Sequence, residues 1–293
     1  MPAPAIDESL VQRLVADQFP EWACLTIGQV DPGGWDNVMF RLGERMAVRL
    51  PRAGQYAAQT EKEYVWLPKL APYLPLPIPA PLALGRPAHG YPWQWSITSW
   101  VEGEAANVAQ VGDLTELAAS LGAFLGALQH IDASDGPLPG PHNFHRGGSF
   151  EVYAAEAREA VDVLRDEIDV RRANEVWTAA LRASWNRAPV WVHGDISPGN
   201  LLLRNGRLSG VIDFGMVAVG DPACDLAIAW TFLDSESRES LRRSVDVDAD
   251  TWHRGQAWAL WKAAIVAAGL VDTNAMDKAN CWRTINEVLS AYA

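Results

Sequence analysis

The sequence predicts an α+β protein with a β-rich N-terminal lobe, residues 1–102, and a mainly helical C-terminal lobe, residues 103–293. Three observations predict it. Between residues 30 and 50, apolar runs alternate with turn residues, the pattern of an antiparallel meander. From Asp113 onward, apolar residues recur at helical spacing. One β-rich insert, residues 190–213, interrupts that helical half.

Residues 8–18 fit a short amphipathic helix with Leu10, Leu14 and Val15 on one side. VDPGGWDNVMFRL, Gly43-Glu44 and MAVRL then give strands separated by turns. Residues 57–70 (AAQTEKEYVWLPKL) fit a helix. The run PYLPLPIPAP lacks the N–H groups a helix needs and reads as an extended connector. WQWSITSWVEG is a further strand, and the lobe boundary falls at Glu102-Gly103. Asp113 is placed to cap a helix carrying Leu114, Leu117, Leu121, Leu125 and Leu128. Beyond the loop DGPLPGPHNFHRGG, helical patterns cover 150–186, 223–244 and 250–292. His142 and His145 in that loop lack a third metal ligand and read as structural or rim residues. Trp252, Trp258, Trp261 and Trp282 read as core residues of the last helices. Asp225 reads as a cap or anchor for the helix that follows it.

A chain of 293 residues with 49% apolar and 20% charged residues can bury a core in each of two lobes. Its net charge of -12 argues against nucleic acid, whose binders need a basic footprint, and permits a cationic small molecule. Cys24, Cys224 and Cys281 are far apart and form no CxxC, so neither a disulfide framework nor a zinc site is expected. The N-terminus has no basic segment followed by an apolar run, and the apolar runs are short or broken by Pro. The expectation is a cytoplasmic protein without a membrane partner. Nothing in the sequence fixes an oligomeric state.

The insert carries the chemistry. In NLLLRNGRLSGVID, Leu201–Leu203 and Leu208–Ile212 read as paired strands joined by Asn205-Gly206, the strongest signal for a type I′ hairpin. A two-residue turn there brings Asn200 and Asp213 to the open end of the hairpin. An amide oxygen and a carboxylate are hard ligands that suit Mg²⁺ with substrate phosphates. Asp195 lies five residues before Asn200, and Asp213 is followed by Phe214-Gly215. This is the arrangement of kinases, in which the first Asp accepts the proton of the acceptor hydroxyl.

HGDISPGNLLL, GVIDFG and VGDPACDLA together resemble the aminoglycoside phosphotransferase family, which includes macrolide kinases and is distantly related to choline kinases. The resemblance covers roughly residues 28–235 and implies a protein-kinase-like bilobal fold. Protein kinases have Arg where this chain has Gly194, so it resembles the small-molecule branch. The resemblance implies Asp195 as catalytic base, Asn200 and Asp213 as Mg²⁺ ligands, and ATP or GTP as phosphate donor. It further implies a phosphate loop at Gly33-Gly34-Trp35-Asp36-Asn37, with Gly33, Gly34 and Asn37 as the nucleotide-facing residues. Arg49 in MAVRLP takes the place of the usual phosphate-binding Lys, and Glu63 is favoured over Glu61 as the carboxylate that orients it. Backbone groups of Ser99, Trp100 and Val101 would meet the base. Resemblance and negative charge rank an aminoglycoside-like antibiotic first as acceptor. A macrolide, or a metabolite such as an amino sugar or amino alcohol, is the alternative. The class-level rival is a nucleotide-binding pseudokinase, to which Arg49 is the only pointer.

Overall fold

A computed structural model describes residues 5–30, 34–273 and 275–291, and at Met276 the backbone only. The described chain forms two compact units, one of residues 1–102 with Gly210–Met216, the other of Gly103–Ser209 with Val217–Ala293. The fold is α+β.

The first unit opens with helix α1, Glu8–Gln18, capped by Asp7, whose side chain accepts from Leu10 N. Strands β1 (Ile27–Gln29), β2 (Asn37–Leu42), β3 (Met46–Pro51), β4 (Pro81–Gly85) and β5 (Trp95–Ser99) form an antiparallel sheet in the order β1-β2-β3-β5-β4. Between β3 and β4 runs helix α2, Gly54–Leu70. Side chains alternate across a strand, so Val48 and Leu50 on β3 join Phe40, Leu42, Trp95 and Ile97 against Leu10, Val11, Leu14 and Val15 of α1. The same alternation turns Arg49 to the other face of the sheet, where α2 packs against β3.

β4 is a departure from the sequence reading, which took the Pro-rich run as connector throughout. The connector ends at Ala80, and Pro81 starts an edge strand, the position in a sheet where a missing N–H costs little.

The second unit is mainly helical. Helix α3, Leu114–Gln129, is capped by Asp113, whose carboxylate accepts from Thr115 N and Glu116 N. Helices α4 (Ala154–Val163) and α5 (Val170–Arg182) follow. The later helices are α6 (Ile228–Thr231), α7 (Ser235–Ser244), α8 (Ala249–Ala267) and α9 (Ala275–Ala291). Trp252, Trp258 and Trp261 of α8 are buried, whereas Trp282 of α9 is 37% exposed, contrary to its reading as core. Short strands frame the insert. The two-residue strand β6 (Glu104–Ala105) pairs with β8 (Leu201–Arg204), and β7 (Val190–Val192) pairs with β10 (Ala218–Gly220). Strand β9, Arg207–Val211, completes the hairpin with β8. Asn205 and Gly206 have φ of 52° and 76°, as a type I′ turn requires.

Gly85 on β4 faces the fully buried ring of Trp95, and a methyl group there would lie 2.0 Å from it. Gly85→Ala is therefore expected to lower the unfolding free energy by about 1–3 kcal/mol, measured by urea denaturation. A stability unchanged by the substitution would refute this account of the packing.

Candidate active site

In the first unit the site is built on Arg49. Its Nη1 donates to Glu63 Oε2 at 2.7 Å and its Nη2 to Asp213 Oδ1 at 3.1 Å. Arg49 and Glu63 are 6% and 4% exposed. Burial opposes the charge of Arg49, but the two carboxylates outweigh it and hold the guanidinium above its ordinary range. Burial also pushes the Glu63 carboxyl up, against the pull of Arg49. One arginine thus joins two carboxylates, Glu63 of α2 and Asp213 beyond β9. Asp213 has φ of +65°, a left-handed backbone that Asp tolerates better than most residues but that still carries strain.

The glycine-bearing turn is only partly described. Gly33 lies outside the described residues. Gly34 and Asp36 are half-buried and Trp35 is exposed. Asn37 lies at the end of that turn. It is the first residue of β2, paired with Pro51 and 6% exposed. The segment expected to meet the base is Ser99, Trp100 and Val101. Ser99 N donates to Ala80 O, Ser99 Oγ accepts from Ala80 N, and Trp100 N donates to Arg45 O. Those groups are engaged within the unit's own backbone. The N–H of Val101 has no partner among the described residues.

In the second unit, β7 leads into the turn His193-Gly194-Asp195. Gly194 has φ of +85°, so an Arg at this position would be strained, which accounts for glycine here. The fully buried Asp225 holds the turn from beneath: His193 N donates to its Oδ2 at 2.8 Å and Gly194 N to its Oδ1 at 2.7 Å. Burial raises the Asp225 carboxyl above its usual range, while His193 and the two N–H groups oppose that rise. The sequence reading gave Asp225 a helix-anchoring role; it anchors the loop instead, across a separation no local pattern encodes. Asp195 N donates to His193 Nδ1 at 3.2 Å. Asn200 Nδ2 donates to the Asp195 carbonyl at 2.9 Å and to its Oδ2 at 3.0 Å. Asn200 therefore aims the Asp195 carboxylate and keeps its own amide oxygen for other ligands.

Beside this turn, Ser197 and Pro198 line a pocket with Thr231, Lys262, Asp277 and Asn280. Lys262 and Asp277 are its charged residues, 4.0 Å apart. Elsewhere in the unit, Asp221 accepts two hydrogen bonds from the buried Arg254, at 2.7 and 3.2 Å. No cluster of three or more His, Cys, Asp or Glu residues able to hold a metal occurs among the described residues. No described helix is long and apolar enough to cross a membrane.

Residues 28–258 match the model of the phosphotransferase enzyme family, and the chain belongs to that family. It is 30% identical over 148 residues to an aminoglycoside 3'-phosphotransferase of Escherichia coli, an alignment covering 48% of this chain and 53% of that one. It is also 30% identical over 155 residues to a homoserine kinase of Methylocella silvestris, covering 50% of this chain and 43% of that one. The chain thus spans about half the length of the curated proteins it matches. Among solved structures, the GDP complex of wild-type aminoglycoside 2'-phosphotransferase-IIIa superposes with a TM-score of 0.74 at 18% identity, covering 97% of this chain and 99% of that one. That likeness establishes the fold, the kinase-like α+β fold of these enzymes.

Two outcomes are expected. Asp225→Ala leaves two buried N–H groups without an acceptor, so the unfolding free energy measured in urea should fall by about 3 kcal/mol. A loss below about 0.5 kcal/mol would mean that the turn does not depend on this carboxylate. Burial lowers the ammonium of Lys62 on α2 from 10.5 to about 8. The unfolded chain then binds more protons between those values, so stability should rise with pH from about 8 to about 10.5. Lys62→Met should flatten that slope in unfolding measured across the same range, and an unchanged slope would assign it to other groups.

Proposed function

We propose that the chain is a phosphotransferase that moves the γ-phosphoryl group of ATP or GTP to a hydroxyl of a small molecule. The observation that carries this reading is the grip of Asn200 on Asp195. A carboxylate held at a fixed angle in a glycine turn, and only partly buried, is a base aimed at an incoming proton. Asp195 orients the acceptor hydroxyl and takes its proton as the oxygen attacks phosphorus. General-base action of this kind contributes on the order of 10²–10⁴-fold.

The donor set suits Mg²⁺. Asn200 offers an amide oxygen and Asp213 a carboxylate, hard ligands that leave positions for water and phosphate oxygens. When bound, the ion supplies charge neutralisation on the phosphates. Arg49, fixed by Glu63, keeps Asp213 oriented and presents its remaining N–H groups to the donor's phosphates. The glycine-bearing turn with Gly34, and the Val101 N–H, are the proposed contacts to phosphate and base.

An aminoglycoside-like antibiotic is the first acceptor reading, supported by family membership and the net charge of -12. A second reading, a small metabolite carrying both an amine and a carboxylate, is favoured by Lys262. A cation opposite Asp277 balances the pocket beside the catalytic turn, whereas a polycationic sugar calls for acidic walls. The homoserine kinase match points the same way. A coupled-kinase screen of aminoglycosides, macrolides, amino sugars and hydroxy amino acids separates the readings. Phosphorylation of a hydroxy amino acid, with no antibiotic raising turnover, would reject the first.

Asp195→Ala should abolish transfer, by at least about 10²-fold in kcat, while leaving Mg²⁺-dependent nucleotide binding within about twofold. Near wild-type turnover in that variant would remove Asp195 from the chemistry. Nucleotide binding without hydrolysis or transfer in the wild-type chain would favour a pseudokinase.

A further inference from the structure

The proposed mechanism leaves one buried polar side chain of α2 unused. Gln59 is 2% exposed and lies one helical turn before Glu63, on the same face of the helix. Its Nε2 donates to Asp36 Oδ2 at 3.2 Å and approaches Met216 Sδ at 3.9 Å. Asp36 belongs to the glycine-bearing turn before β2. Met216 ends the segment Asp213–Met216, which begins with the partner of Arg49. One amide therefore touches both segments assigned to the nucleotide.

The fit on the other side of the amide is close. Gln59 Oε1 is buried without a hydrogen-bond partner. It faces Gly215, where a methyl group would come within 2.8 Å of it and 3.5 Å from Asp213 Oδ1. Gly215 does not have a positive φ, so conformational freedom does not explain the glycine here; the space occupied by Gln59 does. A hydrocarbon side chain of similar length would fill the same volume without leaving an oxygen unsatisfied. The amide is therefore poorly explained as packing and well explained by the two groups its nitrogen joins.

We propose that Gln59 is a positioning residue that ties the turn at Gly34–Asp36 to the segment Asp213–Met216, so that nucleotide affinity depends on the amide at position 59. Gly215 is the glycine that makes room for it. The inference rests on the nucleotide-binding reading above, and its test has an arm that does not.

That arm is backbone hydrogen exchange in the full-length protein without nucleotide. Gln59→Glu keeps the volume and the helix but removes the donors and sets a carboxylate against Asp36. It should speed exchange in both segments, residues 34–37 and 213–216, by several-fold, with α1 unchanged. In the second arm the same variant should weaken ATP or GTP binding roughly tenfold while shifting the acceptor KM less than about twofold, a split that general destabilisation does not give. Gly215→Ala should lose nucleotide affinity by clashing with Oε1, and adding Gln59→Ala should remove that clash without restoring affinity or slow exchange in 213–216, because the tie itself is then gone. Unchanged exchange in both segments of Gln59→Glu, or unchanged affinity in a chain that binds nucleotide, would overturn the proposal. A wild-type chain that binds no nucleotide would overturn the functional reading instead, and the exchange arm would still decide whether Gln59 joins the two segments.

Discussion

An arginine buried between two carboxylates is a demanding arrangement. Arg49 cannot discharge itself, so its desolvation must be offset by Glu63 and Asp213 in good geometry. The requirement acts on every element that supplies a partner. β3 must keep its register, because a slip of one residue would turn Arg49 to the α1 side of the sheet and bring an apolar side chain to face α2. α2 must keep its rotation, because Glu63 reaches the guanidinium from one face only. The segment after β9 must accept a left-handed Asp213. Removing one partner of such a pair typically costs about 3–5 kcal/mol, so this triad ties the geometry of the sheet, the helix and the loop together.

The turn His193-Gly194-Asp195 meets the converse problem, a sharp backbone bend beside a buried residue. Gly194 makes the bend possible, and Asp225 satisfies the N–H groups it exposes. Both oxygens of Asp225 are used on main chain, so the device fixes the backbone and leaves the side chains of the turn to chemistry. Asn200 then orients one of them, Asp195, from the far end of the loop. Backbone held from below and side chain held from the flank together give a carboxylate with few ways to move.

The sequence revealed these features unevenly. The hairpin and its Asn-Gly turn were legible because turn chemistry is local, and Asp195 and Asn200 were legible because their spacing is short. Glu63 needed a resemblance to be chosen over Glu61. Asp225 and Gln59 were not legible as what they are, since their partners lie far along the chain and neither sits in a pattern with a period. β4 was hidden by its leading proline, Pro81, which an edge strand tolerates. β6 and β10 are too short for alternation to register. Asn37 was read with the turn, although it starts β2, because a turn and the first residue of the following strand share composition. Trp282 shows the same limit on a helix, where an aromatic on an exposed face looks in sequence like one in the core.

The composition of the first unit has a temporal consequence. Its last piece, Gly210–Met216, is separated from the rest by more than a hundred residues of the other unit. Val211 N donates to Pro77 O, and Asp213 completes the pairing of Arg49. During synthesis, a nascent chain that has emerged only as far as Glu102 holds a complete sheet and a buried arginine with one of its two carboxylate partners. The N-terminal unit cannot reach its final state until the ribosome has delivered residue 216, so its maturation waits on the hairpin that carries that last piece.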